Sequence, residues 1–288
     1  EKGSFILLKI DNQIITNIDI ENEKNYLLAI NENLSSLSND QIFEIAKDSL
    51  IREKIKKNEL EKFFDVKIYS SYIDGLLEDF QIKLGFKDAE DLEQYLFTKD
   101  LKIETVKFKL NIEALWNQLI YSRYNNQIEI DENKLKEKIK NVDFKNEKEL
   151  ISISEIIFSA NTKLEIEETY KKIINSINDI GFANTANIYS ISETAKFGGE
   201  IGWVNSNQLS SNIAKELKHL KVNEYTKLIN VPGGFLILKI NDKKIETMEI
   251  DPEKELKEMI VYEKDRQFNE FSSIYFQKIK KNSLIDEK

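Results

Sequence analysis

The chain contains no cysteine, one histidine and two prolines in 288 residues. Without cysteine there is no disulfide, no thiolate nucleophile and no thiolate-ligated metal. Because His219 is the single histidine, we expect neither a catalytic histidine pair nor a histidine-rich metal site. We therefore expect no cofactor.

Other absences narrow the possible partners. No apolar run approaches the roughly 20 residues that a membrane-spanning helix needs, so we expect no span. The net charge is −9 and the basic residues are spread along the chain, which argues against nucleic acid, because a basic stripe is needed to neutralise phosphates. No Gly-x4-Gly-Lys-Ser/Thr loop is present, so nucleotide-driven cycling is unsupported. Because the chain begins at Glu1 rather than at Met, we expect a mature or trimmed product. We also expect a monomer.

The N-terminal part predicts a strand hairpin followed by helices. Phe5–Asp11 and Ile14–Thr16 are strand-like segments separated by a turn. Ser38 precedes a segment in which apolar residues recur at spacings of three and four up to Leu60, which is typical of a capped helix.

From Leu150 onward the pattern changes to alternating strands and helices. The predicted order is strand, helix, helix, strand, helix, strand, strand, and the bounded segments are Ile151–Phe158, Lys163–Asn178, Phe182–Tyr189, Tyr225–Val231 and Phe235–Ile240. A long helix is predicted to begin at Pro252, directly after the capping residue Asp251.

Glycines cluster in one segment, Tyr189–Trp203, with the sequence YSISETAKFGGEIGW. This segment resembles the glycine loop of the parvulin family of peptidyl-prolyl isomerases. Ile151–Phe158 resembles the first strand of that family, and Gly234–Ile240 resembles its last strand. Three ordered matches at compatible spacing imply a parvulin domain between Leu150 and Asp242.

The flanking segments resemble the SurA family of periplasmic chaperones, in which N-terminal helices and a C-terminal helix form one module around inserted isomerase domains. The resemblance implies an α+β fold that is mainly helical. It implies an N-terminal chaperone module with a strand hairpin at 1–145, one parvulin-like (PpiC) domain at 148–243, and a C-terminal helix at 250–288 that completes the module. The apolar end at Leu284 and Ile285 is expected to pair with the N-terminal hairpin, and the implied compartment is the periplasm.

Working parvulins carry two facing histidines with a cysteine or aspartate beside them. By resemblance, the histidine positions here are Glu155 and Leu236, and the cysteine or aspartate position is Ser192. The two histidines and the cysteine or aspartate of working parvulins are therefore all replaced in this chain. We interpret Glu155 as a solvent-facing or hydrogen-bonded residue rather than a substitute catalytic group, and Leu236 as core packing.

The apolar socket for the proline ring is preserved in kind. Leu209 matches the methionine position of the family and Ile213 the phenylalanine position, with Phe235 expected beside them. A smaller apolar groove of this type is able to hold a side chain of a bound polypeptide.

Three functions remain open from the sequence. The first is an ATP-independent chaperone that binds unfolded outer-membrane or secreted proteins, with a weak or inactive parvulin domain. The second is an active prolyl isomerase, in which Glu155 and Ser192 replace the usual centre. The third is a helical adaptor that binds one folded partner.

Overall fold

The computed structural model describes residues 3–67, 69, 71–140, 147–247 and 251–287. The chain divides into two units, and each is described by itself. The first comprises Glu1–Arg123 and Tyr275–Lys288, and the second comprises Tyr124–Ile274. Within the described residues, helices dominate and each unit carries a small antiparallel sheet, which confirms the α+β class. The domain limits at 1–145, 148–243 and 250–288 stay a prediction, and the end points 145 and 250 fall outside the described residues.

The sheet of the first unit joins the two ends of the chain. Its strands lie in the order β2-β1-β7 and are all antiparallel, with bounds β1 Ile6–Ile10, β2 Gln13–Thr16 and β7 Ile285–Glu287. Asp11 forms the turn after β1 and adopts a φ of 50°. Its amide donates to the carbonyl of Leu284 at 2.9 Å. The predicted pairing of the chain's apolar end with the hairpin is therefore confirmed.

Helices make up most of the first unit, and their bounds are α1 Asn17–Ile30, α2 Asn39–Leu60, α3 Tyr72–Lys83, α4 Ala89–Thr98 and α5 Ile103–Tyr124. The side chains of Thr16 and Ser38 cap α1 and α2 by accepting the amide of the third helical residue, and the amide of each cap donates in return to the side chain of that residue. Such a capping box satisfies amide groups that the first helical turn leaves without partners. The helices therefore begin where the sequence predicts.

Buried charges of the first unit are paired with opposite charges. Lys109 of α5 lies 2.6 Å from carboxylate oxygens of both Glu23 and Glu53. Lys56, which is 1% exposed, lies 2.7 Å from a carboxylate oxygen of Glu113. Each ammonium thus meets a carboxylate that compensates for its removal from water.

The sheet of the second unit has the order β4-β3-β6-β5, with bounds β3 Glu147–Phe158, β4 Glu200–Asn205, β5 Ile229–Val231 and β6 Gly234–Thr247. Its helices are α6 Glu132–Lys140, α7 Lys163–Tyr189, α8 Ser211–Leu217 and the start of α9, whose full span is Pro252–Asn282. The two helices predicted on either side of residue 180 are present within the span of α7, and they are separated by Gly181, whose backbone is non-helical with a φ of 82°. The strand predicted from Tyr225 begins at Ile229, although Tyr225 makes a single bridge to Lys239.

Each face of this sheet packs against a different helix. The α8 face carries a buried cluster that consists of Ile151, Ile153, Val204, Leu209, Leu217, Ile229, Leu236, Leu238 and Ile240. The α7 face carries a second cluster that consists of Ile156, Phe158, Ile173, Phe182, Ala186 and Ile237. Neighbouring residues of a strand belong to different faces because side chains alternate along it.

Candidate functional site

The glycine loop closes tightly against strand β3. Gly198 and Gly199 have φ values of 70° and 77°, a region that glycine adopts without steric strain. A Cβ atom on Gly199 would lie 2.1 Å from the carbonyl oxygen of Glu155, so no other residue fits without movement. The amide of Glu155 donates to the carbonyl of Gly199 at 2.8 Å. The glycines therefore allow the loop to approach Glu155.

A chain of hydroxyl groups runs from this loop to Glu155. The hydroxyl of Thr194 donates to Glu155 Oε1 at 2.9 Å and lies 2.6 Å from the hydroxyl of Ser192. The hydroxyl of Ser190 lies 3.0 Å from that of Ser192 and accepts the amide of Ile157 at 3.0 Å. Glu155 and Ser192, predicted as members of one centre, are thus brought together.

The Glu155 carboxyl is the ionisable group of this hydroxyl network. Burial raises the pKa of Glu155 above its ordinary value, and the hydrogen bonds from Thr194 and Ser192 act in the opposite direction. A carboxyl in such surroundings gains protons more readily than one in water, and the hydroxyl of Thr194 donates a hydrogen bond to it.

Leu236, the second predicted centre residue, lies on the same sheet face. The register between β3 and β6 places Glu155 opposite Leu238 and Ile157 opposite Leu236. Leu236 is 5% exposed and belongs to the α8-face cluster. It packs in the core and offers no polar group, so one half of the centre is apolar.

The three predicted socket residues do not come together. Leu209 belongs to the α8-face cluster and is 1% exposed, and Ile213 packs against the same cluster. Phe235 instead packs on the α7 face, where its ring lies 5.4 Å from that of Phe158. The expectation that Phe235 lies beside the socket is corrected by strand alternation, since its neighbour Leu236 faces the α8 side.

The start of α9 covers the α8 face. Tyr262 packs against the α8-face cluster, and Met259 is 2% exposed. Burial raises the pKa of Tyr262, and Glu155 is one of the charges that act on it. Glu255, near the start of α9, accepts the side-chain amide of Asn205 at 2.5 Å. The second unit thus places its own helix over the face where Glu155 and Leu236 lie.

Several residues of this arrangement are absent from the sequence prediction. Thr194 and Ser190 lie within the recognised loop, so the loop sequence already offered their hydroxyls as possible partners of Ser192. Tyr262 and Met259 are separated from Glu155 by about a hundred positions, and no local pattern connects them. Contacts between such distant segments cannot be read from a local sequence pattern.

Across the described ranges, no group of three or more histidine or acidic side chains is placed to hold a metal ion. In the same part of the chain, no helix has the length and apolar character needed to cross a membrane. His219 lies exposed just beyond the end of α8, outside the network around Glu155.

Comparison with known proteins identifies similarity in the same segment. A family model for the PPIC-type peptidyl-prolyl isomerase, or rotamase, domain matches residues 150–242. Chaperone SurA of Pseudomonas putida is 43% identical over 63 residues, which make up 22% of this chain and 15% of that protein. Chaperone SurA of Dechloromonas aromatica is 27% identical over 95 residues, which make up 33% of this chain and 21% of that protein. The matched segments therefore span less than a quarter of these relatives.

Solved structures provide two further comparisons. A chain described with the SurA-like chaperones PEB4 and Cj1289 of Campylobacter jejuni is 15% identical, with coverage of 98% of both chains and a TM-score of 0.39. A PpiC-type isomerase domain is 29% identical, with coverage of 33% of this chain and 92% of that domain and a TM-score of 0.31.

Proposed function

Because residues 150–242 form a domain of the PPIC-type peptidyl-prolyl isomerase family, we propose that this chain is an ATP-independent chaperone with a weak or inactive isomerase domain. Its clients are unfolded outer-membrane or secreted polypeptides, and its compartment is the periplasm. Similarity to SurA, and to a relative named periplasmic chaperone PpiD from Haemophilus influenzae, supports this assignment.

Exposed apolar side chains of the first unit carry the chaperone part of the proposal. Phe97 is 81% exposed, and Tyr72 and Ile82 are 64% and 63% exposed. All three lie on α3 or α4. Large apolar side chains in water are typical of surfaces that bind other polypeptides. They provide weak, non-directional contacts that suit clients of many sequences.

The region around Glu155 supports the second part of the proposal, which is that the isomerase domain is weak or inactive. Rotation about a peptide bond has a barrier of roughly 18–20 kcal/mol, and parvulins lower the barrier at X-Pro bonds with a polar centre beside an apolar socket. Here Leu236 replaces one polar group, and Leu209 is almost completely buried. Tyr262 of α9 packs over the same face. An X-Pro segment therefore lacks a reactive partner, and the predicted socket residue Leu209 is closed to it.

The chaperone proposal is tested with a double variant, Ile82→Ser with Phe97→Ser. We expect the affinity for a urea-unfolded outer-membrane barrel protein to fall about thirtyfold, because roughly 1 kcal/mol is lost for each of the two exposed apolar groups removed from a contact. Light scattering measures the suppression of client aggregation. The matched control is Leu164→Ser, which replaces a 65% exposed residue of α7. An equal loss in the control, or no loss in the double variant, contradicts the assignment to α3 and α4.

Breadth of binding separates the chaperone from an adaptor. A panel of unrelated unfolded peptides is titrated against the full chain by fluorescence anisotropy. A chaperone binds most of them at micromolar strength, whereas an adaptor for one folded partner ignores them.

An active isomerase is the alternative that one observation favours. The hydroxyl network at Glu155 keeps a continuous polar group beside the loop. An NMR exchange assay on a short X-Pro peptide decides between the two functions. We expect rates indistinguishable from the uncatalysed rate in both the parent chain and the Ser192→Ala variant. Catalysis that Ser192→Ala or Glu155→Gln abolishes would replace our proposal by the active isomerase.

A further inference from the structure

A cavity of about 750 Å³ opens in the second unit, near the start of β3 and away from the hydroxyl network. Its apolar lining includes Ile151 of β3, Leu209, Leu217 of α8 and Met259 of α9. This volume lies within the usual range of ligand pockets, and an apolar lining with a few polar groups is characteristic of them.

Lysines dominate the charged part of the lining, which comprises Lys138, Lys148, Lys215, Lys218 and Lys243 against Glu149 and Glu255. This excess of positive charge stands in a chain with a net charge of −9. Glu255 is already engaged, since it lies 2.8 Å from the ammonium of Lys148 and also accepts Asn205. The remaining charge of the cavity is therefore positive.

Two of these ammonium groups are bound only to neutral carbonyl oxygens in the described ranges. Lys138 donates to the carbonyl of Leu209 at 2.7 Å, and Lys243 donates to the carbonyl of Leu220 at 2.8 Å. Burial lowers the pKa of Lys138, and Glu263 acts in the opposite direction. Glu263 is itself paired with Arg266. A carbonyl leaves the ammonium charge uncompensated, and an ammonium has three donors.

Two further lysines stand at the solvent side of the cavity. Lys215 and Lys218 are exposed, and no ion pair with either is found in the part of the chain that the structure describes. Lys215 lies in the last turn of α8, and Lys218 is the residue that follows the helix. Together with Lys138 and Lys243, they line the cavity with positive charge.

We propose that this cavity binds a polypeptide segment in which an apolar side chain is flanked by carboxylates. The apolar side chain packs against the apolar part of the cavity lining, and the carboxylates bind the lysines. The occupant is a peptide rather than a nucleic acid because apolar side chains line the cavity beside the lysines. This inference rests on the proposed chaperone function and gives it a preferred class of client.

The test uses the full chain and a fluorescein-labelled nonapeptide in which Leu-Phe-Leu is flanked by Asp and Glu. A second peptide replaces every Asp and Glu by Asn and Gln. We expect the acidic peptide to bind about tenfold more tightly in about 50 mM salt, and this preference to shrink in about 300 mM salt, because exposed charges are screened. Equal binding of the two peptides would overturn the proposal.

Charge removal at the mouth provides the second measurement. The double variant Lys215→Gln with Lys218→Gln is expected to bind the acidic peptide about fivefold more weakly, as two partly screened ion pairs would contribute. Binding of the amide peptide is expected to stay unchanged. Lys171→Gln with Lys172→Gln on α7 is the matched control, since both residues are exposed. An equal loss in the control, or none in the Lys215 and Lys218 variant, refutes the site.

Two outcomes separate this inference from the proposed function. If the chain does not suppress client aggregation but binds the acidic peptide through Lys215 and Lys218, the chaperone assignment fails and the site stands. If aggregation is suppressed but the acidic peptide has no advantage, the site fails alone. Displacement of the peptide by succinate at equal affinity would identify a small-anion pocket and also refute the proposal.

Discussion

Buried charge is paired with opposite charge in the first unit, whereas the second unit has such pairs and also has charged groups that meet neutral groups. In the first unit, Lys109 meets the carboxylates of Glu23 and Glu53. In the second unit, Glu155 meets hydroxyl groups, and Lys138 meets backbone carbonyls. The first arrangement neutralises charge, whereas the second only solvates it with dipoles.

This difference separates structural charge from charge that is available to a ligand. A neutralised pair has little left to offer a ligand, and breaking it exposes a lone charge to a poorly hydrated interior. A charge held by neutral dipoles keeps its field, and perturbed groups of that kind cluster at functional sites. The comparison therefore directs functional experiments to the second unit and stability experiments to the first.

The largest effect is expected from Lys109→Met. Burial by itself lowers the pKa of Lys109, but Glu23 and Glu53 outweigh it, so that the pKa lies above its ordinary value. Removing the ammonium leaves two carboxylates facing each other, and we expect a loss of about 3–5 kcal/mol in the unfolding free energy of the first unit. Urea denaturation followed by amide exchange in α1 and α5 measures it.

Lys24→Met is the control for that prediction. Lys24 pairs with Glu21, whose side chain is 63% exposed, and such a surface pair contributes less than about 1 kcal/mol. If the two variants lose equal stability, the buried ion pairs of Lys109 stabilise the first unit no more than the exposed pair of Lys24 does. The comparison between the units would then fail.

An intermediate effect is expected from Tyr262→Ala, which removes the ring that α9 packs on the α8 face. We expect the second unit to lose about 2 kcal/mol, as for other large-to-small changes at partly buried sites. Tyr262→Phe keeps the ring and is expected to lose less. Isomerase activity should stay at the uncatalysed rate in both variants. The appearance of activity in Tyr262→Ala would show that α9 covers a working centre. The parent chain would then be inactive because substrate cannot reach the centre, and not because the centre lacks the required groups.

Sequence reasoning succeeds here where local chemistry determines structure. Gly198 and Gly199 adopt positive φ angles, which few other residues tolerate, and this requirement made the loop recognisable. Strand-like segments predict β3 and β6, and the alternation of side chains along a strand should have excluded Phe235, since Leu236 already faces the α8 side. That error came from taking neighbouring residues in a strand as neighbours in space.

The remaining features depend on contacts between distant segments. Tyr262 reaches the α8 face only because α9 lies along it, and Glu255 pairs with Lys148 across more than a hundred positions. The charges of the cavity likewise come from separate elements, so no periodicity or motif connects Lys138 with Lys243. Such sites become visible only when the fold brings the elements together.

The smallest effect, and the most specific, is expected from Glu155→Gln. Because burial raises the pKa of Glu155, the folded state binds more protons than the unfolded chain between the ordinary and the raised pKa. Stability therefore falls as pH rises through that window. Glutamine keeps an acceptor for Thr194 without a charge, so we expect the variant to match the parent chain within about 1 kcal/mol at about pH 5 and to exceed it at about pH 8.

Amide exchange in β3 at the two pH values measures this difference, and Glu149→Gln is the control, because Glu149 is an exposed residue of the same strand. A variant that is less stable than the parent chain at pH 8 would show that the ionised carboxylate stabilises the folded second unit. Glu155 would then be as well compensated as the buried charges of the first unit, and the contrast between the units would be lost. Since an ionised, well-solvated Glu155 beside Ser192 is also what a substitute catalytic centre requires, the same result would favour the active isomerase.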